Sequence, residues 1–197
     1  MGLSIANVVF GSATLEVTRA TVTGVQDPDS TTNKKVQGEL LTLSLTGGKL
    51  FIGTGANLVI DANDAAFGTV TLPASDSPVA VGFSIDDARL NLGILTVREG
   101  TSVRKFTGLR ANLGKAQLQG VQAVQMVATD LGLILNRTSV TGGKLLDWNQ
   151  GYAWTTAGAP PTNWSSNPLS AANLNLRSTD ASFRIGGTVG FSIAEVV

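Results

Sequence analysis

The chain has neither cysteine nor histidine among its 197 residues. The first absence excludes a disulfide framework and a thiolate nucleophile, and together they exclude the usual zinc and haem ligand sets. Histidine is also the commonest general base near neutral pH, so most familiar catalytic arrangements have no candidate here. Charge is scarce too: 14% of residues carry it, with 14 Lys+Arg against 14 Asp+Glu. A net charge of zero gives no field to attract nucleic acid or an anionic membrane surface. No apolar run approaches the roughly 20 residues of a spanning helix. The first ten residues have neither the basic nor the apolar region of a signal peptide. The expectation is a structural or binding protein, not an enzyme, with no cofactor, nucleic acid or membrane insertion.

What the sequence has in quantity is two-residue alternation. Ala13-Thr14-Leu15-Glu16-Val17-Thr18 alternates, as do Leu41-Thr42-Leu43-Ser44-Leu45-Thr46, Arg89-Leu90-Asn91-Leu92, Asn173-Leu174-Asn175-Leu176 and Ser182-Phe183-Arg184-Ile185. Such patterns put apolar side chains on one face of a strand and polar ones on the other. No long window carries a helical stripe, and only residues 111–116 leave room for one short helix. Gly, Asn and Asp punctuation, as in Thr46-Gly47-Gly48-Lys49, Gly53-Thr54-Gly55 and Gly186-Gly187, predicts many short strands at a spacing of roughly 8–12 residues. Residues 115–136 and 179–197 read as strand, bend, strand. The chain is therefore expected to be all-β. Two architectures fit: an elongated β-solenoid-like stack of short strands, or an antiparallel β-sandwich. The absence of Asn-Gly and Asp-Gly, which two-residue hairpins favour, inclines the choice towards the solenoid.

The two ends of the chain match. Met1-Gly2-Leu3-Ser4-Ile5-Ala6-Asn7-Val8-Val9 aligns with Val189-Gly190-Phe191-Ser192-Ile193-Ala194-Glu195-Val196-Val197 at six of nine positions, offset by 188 residues. Val81-Gly82-Phe83-Ser84-Ile85 is identical to the first five residues of the second copy, and Thr46-Gly47-Gly48-Lys49-Leu50 recurs as Thr141-Gly142-Gly143-Lys144-Leu145. Self-similarity of this kind marks repeat architecture. The expectation is one β-rich unit over residues 1–197, with a period of about 188 and residues 1–9 equivalent to 189–197. Chains of this kind could also join by strand exchange. Leu3, Ile5, Val8, Phe191, Ile193 and Val196 are the candidate self-assembly residues, because unpaired edge strands are templates for pairing.

The run Phe106-Thr107-Gly108-Leu109-Arg110-Ala111-Asn112-Leu113-Gly114-Lys115-Ala116-Gln117-Leu118-Gln119-Gly120-Val121, continued by Val127-Ala128-Thr129-Asp130-Leu131-Gly132-Leu133-Ile134-Leu135-Asn136, carries a resemblance. It resembles the tandem repeats of very large bacterial secreted and surface proteins, adhesin-like and RTX-associated. Residues 88–95 are similar to a preceding segment of those repeats, and Gly187-Thr188-Val189-Gly190-Phe191-Ser192-Ile193 to the strand that closes them. The resemblance covers most of residues 80–197 and, more loosely, the first 70. It implies an extracellular, fibre-forming β-repeat on a bacterial surface, a homopolymer or filament with no catalytic role. The Gly-Gly-x-Gly-x-Asp calcium nonapeptide of such proteins does not occur in this chain.

Two further candidates stand outside the repeats. All three Trp and the single Tyr fall in a Trp-rich loop at residues 147–168: Trp148, Tyr152, Trp154 and Trp164. They are read as a partner or glycan contact, or as a loop folded over an open end of the core. Asp27, Asp29, Asp61 and Asp64 place hard oxygen ligands close together, as a calcium site needs, but without a full calcium loop; the same residues suit polar turns. Asn136-Arg137-Thr138 formally matches a glycosylation sequon. Arg98, Arg104, Lys105 and Arg110 read as a solvated strand–loop face. The sequence thus points to self-assembly, with a carbohydrate-binding sandwich or a viral or phage structural protein as the alternatives.

Overall fold

The computed structural model describes residues 1–61, 63–72, 80–121, 124–149, 153–154 and 174–193. The chain is all-β, and among the described residues there is no helix. The strands are β1 (Gly2–Ile5), β2 (Val9–Gln26), β3 (Lys35–Thr54), β4 (Asn57–Leu58), β5 (Val70–Thr71), β6 (Val81–Glu99), β7 (Ser102–Gln119), β8 (Val124–Thr138), β9 (Ala153–Trp154) and β10 (Phe183–Ile193). Seven of them form one antiparallel sheet in the order β1-β2-β3-β6-β7-β8-β10, not closed into a barrel. β9 adds to β2, and β4 and β5 pair separately.

The expected short strands are in fact long, with β2, β3, β6, β7 and β8 spanning 15 to 20 residues each. Much of the Gly and Asp punctuation lies inside strands, where it makes bulges instead of turns. Register shifts fall between Ser12 and Thr14, between Leu45 and Gly48, and between Gly186 and Thr188. Gly47, Asp87 and Asp130 on that same line have φ of 59°, 55° and 55°. An inserted residue bends the strand and reverses its alternation. Thus β3 turns Leu40 and Thr42 inward above the bend, but Phe51 below it. Residues 111–116, where a short helix had room, are strand within β7.

The bend divides the covered face into two clusters. The larger joins Val22, Val25, Val36, Leu40, Leu95, Val97 and Phe106 of the sheet to Leu146, Trp148, Leu174 and Leu176 of the segment that lies over it. The smaller joins Phe10 and Phe51 to Val70. The β6–β7 hairpin shows how the chain turns without Asn-Gly: Glu99 pairs with Ser102 around Gly100-Thr101, and Gly100 takes the positive φ. That placement of glycine suits a type II′ turn.

The bulge line gives a direct test. A left-handed backbone costs an L-residue roughly 1–2 kcal/mol, least for Asp and Asn and most for β-branched side chains. Asp130→Gly is expected to hold or raise stability, and Asp130→Val to lower it by about 1–2 kcal/mol in chemical denaturation. Equal effects from the two would rule out the left-handed backbone as the cause.

Candidate functional site

Among the described residues the sheet ends at β1 on one side and at β10 on the other, and five of the six predicted assembly residues lie at these ends. Leu3, Ile5 and Val8 sit at the β1 end and are exposed; Phe191 and Ile193 sit on β10 at the opposite end, also exposed. Every one of the eleven residues of β10 is exposed. Val196 lies outside the described residues. β1 and β10 are therefore brought to opposite edges and not to each other. The third copy of the shared word, residues 81–85, begins β6 in the middle of the sheet. All three copies are strand. The other repeated word is not a structural repeat: residues 46–50 lie within β3, whereas residues 141–145 begin in a turn.

Between the edges runs an apolar face that alternation alone does not locate. Register carries one row through Leu15, Leu45, Leu90, Ala111, Leu133 and Ile185, each paired with the next. The adjacent row is Val17, Leu43, Leu92, Leu109, Leu135 and Phe183. Both rows lie opposite the side on which Leu40, Leu95 and Phe106 are buried. Their members are half-buried or exposed, Val17 at 57% and Ile185 at 70%. Thr42 is buried while its neighbour Leu41 is exposed. The covering segment meets small and polar residues, Gly93, Gly108 and Asn136, and brings its own indole ring to fill the space.

Trp148, expected as a partner or glycan contact, has no exposed surface to offer one. It is fully buried and lies on the cross-strand pair Gly93 and Gly108, where an added Cβ would stand 2.8 and 2.7 Å from the ring. Its Nε1–H donates to Asn136 Oδ1 at 3.1 Å. Asn136 Nδ2 in turn donates to the Leu146 carbonyl at 3.0 Å. Asn136 has no exposed surface, so the formal sequon is closed to modification in the folded protein. Its role as a buried hub escaped the sequence reading; the one available signal was glycine at mid-strand, which often marks close approach of another group. Tyr152 and Trp164, with most of the loop at 147–168, lie outside the described residues. Trp154 belongs to β9, paired with Val22.

The acidic candidates are already engaged. Arg104 grips both carboxylate oxygens of Asp27, at 2.8 and 2.9 Å, and also reaches Glu99 at 3.0 Å. Lys34 pairs with Glu99 at 2.6 Å. The Arg104 hydrogen bonds hold the Asp27 carboxyl below its ordinary value against the opposing effect of burial. Glu99 is lowered too, chiefly by its hydrogen bond with Lys34. Asp27 is thus an ion-pair partner of Arg104, and Arg104 belongs to a part-buried network on β7, not to a solvated loop. Asp29 Oδ1 accepts from the Lys144 amide, Asp61 Oδ1 from Asn63 and Asp64 Oδ1 from Ala66. The last two are Asx turns, the polar-turn arrangement. Among the described residues no group of three acidic side chains converges as a metal site. Nothing in the sequence linked Arg104 to Asp27, which is 77 residues away.

No protein-family model, no curated protein and no solved structure matches the chain.

Proposed function

We propose that this chain is a structural β unit that assembles end to end with copies of itself, as the repeat of an extracellular bacterial fibre or giant surface adhesin. The observation that carries the reading is the pair of sheet edges with matching sequences, β1 and β10, with two apolar cross-strand rows running between them. An exposed strand edge offers unpaired amide and carbonyl groups to another chain, and natural proteins normally block such edges. On β10 the side chains add to the exposure: Phe183, Ile185, Val189, Phe191 and Ile193 are all apolar and all exposed. Stacking strand on strand along the sheet also favours an elongated, solenoid-like stack over a closed sandwich. Neutrality helps, because units of like charge would repel. The resemblance to tandem repeats of large secreted proteins supports the bacterial surface as the setting.

The test is the assembly state of the purified chain, by sedimentation velocity and electron microscopy. The intact chain is expected to form linear assemblies. Removing residues 188–197 is expected to abolish them while leaving the β signal in circular dichroism. A chain that stays monomeric at every accessible concentration, both intact and without residues 1–7, would sink the reading.

A further inference from the structure

We infer that the joint between copies is a strand replacement: β10 of one copy takes the seat of β1 in the next and pairs with that copy's β2. The inference rests on the end-to-end reading above and specifies its contact. Three independent features of the structure lead to it.

The first is strand direction. β1 and β10 are the first and seventh strands of an alternating antiparallel sheet, so they run the same way. Setting one intact copy edge to edge on another would therefore place β10 parallel to β1 and break the ladder. Removing one strand restores the alternation. The sequence match identifies which, because Gly190-Phe191-Ser192-Ile193 repeats Gly2-Leu3-Ser4-Ile5 at three of four positions. The two words also face alike. Gly190 lies at the end of the cross-strand row that begins with Ser4 and passes through Phe10, Phe51, Ser84, Gln117 and Val127.

The second is the length of β2 left bare. β1 pairs with Val9 to Ser12, and β9 pairs only with Val22 and Thr23. Met1 adds one backbone pair at Ala13, and beyond it no described strand covers that edge of β2 until β9. In the β1 register, Gly190 meets Ser12 and Ile193 meets Val9, and the rest of β10 runs on until Phe183 meets Arg19. That ladder has eleven pairs where β1 makes four, and it stops short of β9. It also brings Arg184 diagonal to Glu16, opposite charges within reach on one face.

The third is a glycine that its own chain does not require. A Cβ on Gly2 would stand 2.4 Å from the Gly68 carbonyl oxygen, so the β1 seat admits only glycine at that point. A Cβ on Gly190 would meet nothing nearer than the Val127 carbonyl oxygen at 3.8 Å, an ordinary contact. Glycine at 190 is superfluous in the isolated chain and necessary in the seat under Gly68.

Substitutions at the two glycines should therefore act in opposite directions. Gly2→Ala, or deletion of residues 1–7, vacates the seat and is expected to strengthen association about tenfold or more, because the competent state no longer has to be released first. Gly190→Ala is expected to weaken association about tenfold or more while leaving the thermal unfolding of the monomer unchanged. The cysteine-free chain permits a register check by disulfide trapping. Phe191→Cys mixed with Gly11→Cys is expected to cross-link between chains, and Phe191→Cys mixed with Leu3→Cys is not. If the intact chain assembles but deletion of residues 1–7 abolishes assembly, or Gly190→Ala assembles like the parent, strand replacement is overturned and end-to-end assembly stands. If neither the intact nor the shortened chain associates, both readings fall.

Discussion

Replacing Trp148 with alanine is expected to lower stability by about 3–5 kcal/mol, the range for emptying a large aromatic site. Two losses combine. The ring fills the space between the Gly93–Gly108 floor and the covering segment, and neither glycine has a side chain that can move into the void. The buried Asn136 also loses its donor from the indole, and an unpaired buried acceptor costs about 1–3 kcal/mol. Trp148→Phe separates these, since it keeps most of the apolar area and removes only the N–H. Gly108→Val is expected to be as damaging from the opposite side, because its Cβ would stand 2.7 Å from the ring. Urea unfolding followed by circular dichroism measures all three. A loss of less than about 1 kcal/mol for Trp148→Ala, the size of an ordinary surface change, would contradict the buried position.

Arg104→Ala is expected to cost about 3 kcal/mol, the lower end of the range for breaking a buried pair, because the network is partly open to solvent. The substitution strands the Asp27 carboxylate, which has little exposed surface; both oxygens lose the guanidinium, and Oδ1 keeps only the Asp29 amide at 3.1 Å. Adding Asp27→Ala to Arg104→Ala is therefore expected to recover part of the loss, and a double-mutant cycle reads the coupling.

The same pair has a pH signature. The folded Asp27 carboxyl lies below its unfolded value, so its contribution is complete above an unfolded value of about 3.9 and is lost as pH falls from there through the folded value. Glu99, also lowered, acts in the same direction. In Arg104→Ala the carboxyl loses the cation and keeps the burial, and the acid limb of the stability curve should flatten. Identical acid slopes in parent and variant would remove Asp27 as the source.

Several features were readable from residue order alone. Alternation and the lack of a helical stripe led to an all-β chain, because a period of two is the direct imprint of the pleat. The strand–bend–strand reading of residues 115–136 agrees with β7 and β8 on either side of a short connection. The shared words at residues 2–5, 81–85 and 190–193 are all strands. Strand lengths were misread, because glycine and aspartate with positive φ serve turns and bulges alike. Thr46-Gly47-Gly48-Lys49 looks like a hairpin end and is a bulge inside β3, whereas the same word from Thr141 opens a turn.

What the sequence by itself determined is the local geometry: strands with two chemically distinct faces, neutral overall, and the same word at both ends. Which face is covered was decided only by tertiary structure. Alternation separates Leu41, Leu43 and Leu45 from Thr42 and Ser44 without saying where a covering segment will lie. Trp148 arrives from 55 residues beyond Gly93 and settles on it, which leaves the leucine rows on the other face. Asp27 and Arg104 meet for the same reason, because a long-range contact depends on how distant strands align and not on the composition of either one. Strand direction at the two edges is also a property of the whole sheet. An odd number of alternating strands makes β1 and β10 point the same way, and only that turns a repeated word into a joint.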